Sequence, residues 1–299
     1  MTVIAAEKHA PDLGPAAEAT AAPPPDILAA GHDSPAPPQA GGHALARFIG
    51  IWALRLGALA FGVLVWHLAV AVKFNWIISF QNVPSPLAVW NALWHGDTDW
   101  TKHLWVTTLE IIGAFFLAAG VGVALGVAIA WSPLIANALV PFLVFVNTLP
   151  KVAIAPLFLI WMGYGIFPNM LMGALIGFFP VVINTAVGLS QVEADMLDLG
   201  RVFNAPKWKI FVKIRIPNAL PYILSALKIT ATAAVVGAIV GEFVASQKGL
   251  GYVIVTTQSS MNTSVAFAAL IWISVVGLLL YGAVALAAQL WAPWAEGID

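Results

Sequence analysis

Residues 192–220 read VEADMLDLGRVFNAPKWKIFVKIRIPNAL. Arg201, Lys207, Lys209, Lys213 and Arg215 fall in this stretch, five of the thirteen Lys and Arg in the chain. On both sides the sequence turns apolar for at least the roughly 20 residues that a helix needs to cross a bilayer. A basic passage between two such runs predicts a structured loop at the membrane surface, on the side that positive charge favours. Its spacing predicts two short helices. Glu193, Asp195 and Asp198 load the start of the first, where carboxylates suit the positive end of the macrodipole. Asn204 tolerates a left-handed conformation and is expected to end that helix. Pro206 suits the first turn of the second, and Pro217 is expected to end the loop and permit re-entry into the membrane. Trp208, Phe211, Val212 and Ile214 are apolar positions with Lys207, Lys209 and Lys213 between them. A merely solvated basic loop does not account for Trp208 and Phe211 at helical spacing. An interfacial amphipathic helix does, and so does a helix that docks in a partner's groove.

The composition agrees with the flanking runs. Of 299 residues 61% are hydrophobic and 9% charged, with thirteen Trp and sixteen Phe; soluble domains carry roughly 25% charged residues. The expected class is therefore an all-α polytopic membrane protein. The absence of cysteine excludes disulfides, thiolate metal sites and cysteine nucleophiles. The six His form no ligand cluster; His95 and His103 are read as loop residues and His67 as a packed or interfacial one. No G-x-x-x-x-G-K-[ST] phosphate loop and no G-x-S-x-G elbow occurs, so the chain is expected to be neither an ATPase nor another enzyme.

Residues 1–44 hold eight of the twenty Pro and almost no large apolar residue. They are expected to form a disordered tail, with a membrane domain over 45–299. About six spans are expected, near 48–72, 105–131, 135–162, 170–189, 219–243 and 265–291. Residues 73–104 and 247–264 are read as loops, the second with the option of a short re-entrant piece. Gly122/Gly126 in GVGVALG and Gly173/Gly177 are small-xxx-small pairs that let a neighbouring helix approach closely. Pro141 and Pro150 are expected to interrupt the third span. The five basic residues between spans four and five place that loop, and with it both termini, in the cytoplasm.

The loop resembles the coupling motif of ABC-importer permeases, E-A-A-x3-G-x9-I-x-L-P. Ile214, Ile216 and Pro217 occupy its I, L and P positions, Asn204 stands at the Gly, and Asp198-Leu199-Gly200 stand at E-A-A. The wider chain, over about residues 80–290, resembles the nitrate/sulfonate/taurine/bicarbonate branch of these permeases. The passages that carry this are PSPLAVWNAL (84–93), LPKVAIAPLFLIWMGYG (149–165), FFPVVINTAVGL (178–189), KWKIFVKIRIPNALPYILSALKI (207–229) and GEFVASQKGLGYVI (241–254). The resemblance implies the type I ABC importer permease fold in a bacterial cytoplasmic (inner) membrane. It implies a permease dimer, by default a homodimer, two separate ABC ATPase subunits that bind ATP and Mg, and a periplasmic or lipid-anchored substrate-binding protein. No cofactor and no nucleic acid is expected on this chain. Asp198, Gly200, Asn204, Pro206, Lys207, Trp208, Phe211 and Pro217 become the expected ATPase-coupling residues. The implied cargo is a small anion: sulfonate or taurine, nitrate, bicarbonate or aromatic carboxylate.

Charged residues inside spans default to function. Lys151 follows Pro150 and lies too deep in its run to snorkel easily. Lys151, Asn147, Asn184, Glu242 and Glu110 are the candidates for the translocation path. The structural alternatives are an ion pair of Lys151 with Glu242 or Glu110, and interhelical hydrogen bonds for the asparagines. A different class of protein also remains open: a self-contained channel or ion-coupled carrier that uses Lys151 and Glu242 as a relay.

Overall fold

The structure is a computed structural model that describes residues 42–71 and 83–295. The tail expected over 1–44 lies outside these residues except for its last three, which begin a helix. Helix α1 (Gly42–Ala71) carries an apolar span at Trp52–Val70, where the Arg55 guanidinium sits 5.3 Å from the Trp52 ring centroid. Residues 73–82 of the first expected loop lie outside the described residues, but its remainder is not a loop. Ser85 caps α2 (Pro86–His95) by accepting from the Ala88 N–H at 3.2 Å, and Pro86 pre-sets the first turn. Val89, Ala92 and Leu93 then recur on one face and pack on Ala268 with Trp66, Trp100 and Phe267 around them.

Asp99 caps α3 (Trp100–Trp131), so the second span begins five residues earlier than expected and takes His103 into a helix. The chain continues through α4 (Pro133–Thr148), α5 (Lys151–Met162), α6 (Ile166–Ser190), α7 (Ala194–Val202), α8 (Lys207–Ile210), α9 (Ile216–Ala245), α10 (Leu250–Ser259) and α11 (Thr263–Trp291). No strand occurs among the described residues. The stretch read as a loop over 247–264 thus contains α10, whose Leu250, Gly251 and Val253 are buried.

The core is the contact of α3, α6 and α9, and small residues make it. Ala114, Ala118, Ala226, Ala231, Ala234 and Ala238 are fully buried. A methyl group added at Gly122 would meet the Val181 side chain at 2.6 Å, and one at Gly126 would meet Thr185 at 2.5 Å. Four residues along α3 correspond to four along α6, so these two helices run parallel. Toward α9 the order reverses: Gly173 lies against Ala234 and Gly237, Gly177 against Thr230, and Gly188 against Ala219 and Tyr222. Hence α6 and α9 are antiparallel. Both expected small-xxx-small pairs are used, because lipid supplies no hydrophobic drive and close packing must hold the helices. Thr230 Oγ1 adds a hydrogen bond to the Gly177 carbonyl at 3.0 Å.

Parallel α3 and α6 require the chain to travel back between them. α4 and α5 make that return, bent by 93° at the break between them. Counted as one broken span, they bring the five straight apolar helices among the described residues to as many as six crossings. Both prolines were expected to interrupt this span, but only Pro150 does. Pro141 stays within α4, whereas Leu149 before Pro150 is extended (φ −62°, ψ 138°), the conformation that a following proline imposes.

Pro217 stands in the first turn of α9, where the loop was expected to end and the chain to re-enter the membrane. The helix does not stop there: Lys207–Val244 is one continuous apolar helix. A widened π turn over Phe211–Arg215 precedes the proline, and the Ile216 N–H bonds the Phe211 carbonyl five residues back. The widened turn absorbs the missing donor and the ring without a break.

Candidate functional site

Polar and functional residues gather in three places: the hairpin between α6 and α9, the break between α4 and α5, and a buried cluster at the far end of the bundle.

The hairpin is α7, a tight turn, and α8 leading into α9. The Asn204 N–H bonds the Arg201 carbonyl at 2.9 Å and the Ala205 N–H bonds the Gly200 carbonyl at 3.0 Å. This is a Schellman closure with Asn204 at φ +49°, the left-handed conformation anticipated from its identity. Gly200 is buried because Ile210 of α8 packs on it; a methyl there would lie 3.1 Å from the Ile210 side chain. Pro206 (φ −65°, ψ 149°) precedes the first residue of α8. Asp198 and Arg201 pair on the surface at 2.7 Å. At the root of the hairpin, Asn218 Nδ2 donates to the carbonyls of Gly188 and Gln191 at 2.9 and 3.0 Å, tying α9 to the end of α6.

Trp208 and Phe211 part company. Trp208 is exposed, with Lys209 Nζ 5.7 Å from its ring centroid. Phe211 is half-buried and meets Trp131, at the end of α3, edge to face at 5.1 Å. The exposed apolar crest is instead Leu199, Val202, Phe203 and Trp208; Val202 and Phe203 are 77% and 75% exposed. Sequence reading placed Leu199 in the coupling motif but overlooked Val202 and Phe203 beside it. Their spacing at i, i+3 and i+4 on α7 was a visible signal, masked by the stronger basic–aromatic pattern of α8.

At the broken span, Lys151 is the first residue of α5. Its Nζ donates to Asn147 Oδ1 at 2.7 Å and lies 3.5 Å from the Asn147 carbonyl. The predicted path residues Lys151 and Asn147 therefore come together, and neither Glu110 nor Glu242 is the lysine's partner. A lysine at a helix N-terminus opposes the macrodipole. The amino group therefore sits beside the positive end of the α5 macrodipole, half-open to its surroundings. Asn184 does not join it: its Nδ2 bonds the Pro180 carbonyl one turn back at 2.8 Å.

Glu110 and Glu242 lie elsewhere, in the interior where α3, α6, α9 and α10 meet, and are 0% and 1% exposed. Thr107 Oγ1 donates to Glu242, and the Gly251 and Tyr252 N–H groups donate to the same carboxylate. The Leu250 N–H in turn donates to Thr107 Oγ1 at 2.8 Å, and the Gly249 N–H donates to His103 Nδ1 at 3.0 Å. Glu242 thus satisfies the first amides of α10 and clamps this helix to α3 and α9. Gly249 (φ +119°) passes so close that a methyl would sit 2.3 Å from the Glu242 carboxyl carbon. Asn169 Nδ2 donates to Glu110 at 2.8 Å, joining the start of α6 to α3. Thr107, His103 and Asn169 were not anticipated. The sequence places them 59 to 146 residues from their partners, and no periodic pattern links such distances.

With this geometry in view, comparison with known proteins is direct. Residues 120–292 match the family described as "Binding-protein-dependent transport system inner membrane component". A probable ABC transporter permease of Haemophilus influenzae is 37% identical over 66% of this chain and 81% of its own length. A formylaminopyrimidine transport permease of Halalkalibacterium halodurans is 30% identical over 71% of this chain and 85% of its own. Permeases named for aliphatic sulfonates, nitrate, taurine and bicarbonate match at 28–33% identity. The fold is shared with an inward-facing methionine ABC transporter (TM-score 0.56, 17% identity, 63% of this chain and 94% of that one). The fold is that of a type I ABC importer permease. The chain belongs to the binding-protein-dependent transport system inner membrane components, in the branch that holds sulfonate, nitrate, taurine and bicarbonate permeases. It is a multi-pass membrane permease subunit.

Proposed function

We propose that this chain is the membrane half of an ATP-driven importer for a small anion, supplied by a periplasmic or lipid-anchored binding protein. Two copies pair as a homodimer in the bacterial cytoplasmic membrane, with both termini and the hairpin on the cytoplasmic side. Two separate ABC ATPase subunits, which bind ATP and Mg, engage the hairpin. Their closure draws the two hairpins together and moves the crossing between inward- and outward-facing states. The observation that carries this reading is the crest of Leu199, Val202, Phe203 and Trp208. It is an apolar surface on a basic hairpin, held rigid by the Asn204 closure and the Gly200–Ile210 contact. Such a helical crest fits a groove. Asp198, Lys207 and Pro206 frame it, and Pro217 continues its second helix into the bundle.

An anionic cargo is supported by the break in the third span. Lys151, Asn147 and the N-terminus of α5 supply positive potential and hydrogen-bond donors at one point, without a neutralising carboxylate among the hydrogen-bond partners of Lys151. The buried cluster of Glu110 and Glu242 serves to hold helices. This favours the importer over a carrier in which Lys151 and Glu242 relay an ion. Reconstitution of the permease with its ATPase and binding protein tests the reading. Lys151→Gln is expected to cut ATP-driven anion uptake at least tenfold, and Lys151→Arg to keep a larger share of it. Uptake of the same anion by the Gln variant at the parent rate would overturn the anion assignment.

A further inference from the structure

Beside the crest lies a recess with a different character. It has a volume of about 450 Å³ and is walled by Trp131 at the end of α3, Leu197 and Arg201 of α7, and Lys207, Phe211 and Arg215 of the second helix. None of Leu199, Val202, Phe203 and Trp208 lines it, and Lys207 stands on the border between this recess and the crest. Three cationic side chains enter its wall and no carboxylate does. Arg201 gives one guanidinium N–H to Asp198 at 2.7 Å, which leaves four of its five donors. Lys207 and Arg215 have no side-chain hydrogen bond or ion pair among the described residues. The rest of the wall is apolar, from Leu197, Ile210, Phe211 and Trp131.

Three like charges along one wall repel one another, and the Asp198 pair offsets only that of Arg201. A group with two negative or shared oxygens would relieve it, because guanidinium forks match phosphate geometry. The apolar half of the wall favours a ligand that carries carbon beside its charge. The position is that of a lipid boundary: Trp131 is the last residue of a bilayer-spanning helix, where indoles settle at the headgroup level. Basic recesses at such a level take anionic headgroups.

We propose that this recess binds a phosphate group, as the headgroup of an anionic phospholipid or as free phosphate, through Arg201, Lys207 and Arg215. Occupancy bridges α7 to the α3 end of the bundle and so braces the hairpin. The site stands apart from the import reading, because binding to it requires neither ATPase nor cargo.

The test uses the full chain purified in a neutral detergent, followed by thermal melting and native mass spectrometry. Phosphatidylglycerol is expected to raise Tm by several degrees over an equal amount of phosphatidylcholine and to persist as a bound adduct. Added salt is expected to shrink the rise, as screening weakens exposed charge interactions. The Arg201→Gln/Arg215→Gln pair is expected to abolish the difference between the two lipids, and each single change to reduce it. Lys248→Gln, an exposed lysine at the other end of the bundle, controls for lost charge and is expected to leave the response intact. If millimolar inorganic phosphate alone reproduces the rise, the ligand is free phosphate. A parent protein that responds equally to both lipids and not to phosphate overturns the proposal. So does an arginine pair that responds as the parent does, or saturation by an acidic peptide alone, which would assign the recess to a protein partner. Should the double variant fail to fold, the two single variants decide on the same readout.

Discussion

The two ends of the bundle use polar residues in opposite ways. At the hairpin end, Asp198, Arg201, Lys207 and Lys209 are exposed and apolar side chains stand between them. At the far end, Thr107, Glu110, Asn169 and Glu242 are buried. Glu242 collects donors from one side chain and two backbone amides. The difference is one of desolvation. Exposed charges hold nothing together, since water competes for them, and they stay available to a partner. Glu242 is buried where donors replace water, so it fixes the elements that supply those donors. Charge inside a span is therefore no sufficient sign of a path, and at Glu242 it marks a clamp.

Substitutions separate these uses, and the largest effect belongs to neither end. Gly237→Leu would drive a side chain into the Gly173 backbone, with even its first carbon 2.4 Å from the Gly173 Cα. The cost should exceed the ~1–3 kcal/mol of ordinary overpacking, because backbone cannot rotate away. Loss of the monodisperse peak in detergent would confirm this; a normal peak and Tm would refute the core role of the α6–α9 contact.

Glu242→Leu comes next. It strands the Gly251 and Tyr252 amides and the Thr107 hydroxyl, at about 1–3 kcal/mol for each buried group left unmade. Tm should fall, and amide exchange should accelerate in α10 more than in α6. Glu242→Gln keeps an acceptor oxygen and should fall about half as far. Equal exchange in α10 of parent and Leu variant would break the idea of a clamp.

The hairpin variants are smaller in stability and larger in function. Phe211→Ala removes an edge-to-face contact with Trp131 worth about 0.5–1.5 kcal/mol beyond its buried area, so Tm should drop. Trp208→Ala, from an exposed position, should leave Tm in place yet reduce ATP-driven uptake. Equal Tm losses in the two variants would erase the distinction drawn between crest and wall. Smallest of all, Asp198→Asn breaks one exposed pair, and Tm should move by less than about 1 kcal/mol of equivalent stability.

The elements most legible in the sequence were those set by composition and local chemistry. Long uncharged runs give spans, Asn204 ends α7, and the Gly122/Gly126 and Gly173/Gly177 pairs mark close-packed faces. Two short helices were missed because their signals are weak. α2 hides in a Trp-rich passage that reads as an interface, and its Ser85 cap and Pro86 start were the available clues. α10 follows the Gly249 turn, and its first amides are satisfied by side chains of α3 and α9. The π turn that carries the helix from α8 through Pro217 into α9 was not anticipated, because hydropathy does not register it.

By itself the sequence determined the class of this protein: a polytopic, all-helical membrane protein with a structured basic hairpin. That follows from local rules, because a bilayer admits long apolar segments and the hairpin's turn chemistry is contiguous in the chain. Only the tertiary structure decided which charges meet. It set Lys151 on Asn147, buried Glu242 under α10, turned Phe211 inward and Trp208 outward, and gathered Arg201, Lys207 and Arg215 around one recess. These outcomes depend on the 93° bend of the third span and the order in which α3, α6 and α9 pack. Glu242 with Thr107 and Phe211 with Trp131 join residues far apart in the chain, whereas Lys151 and Asn147 are four apart and meet across a helix break; in each case burial and distance set the energy.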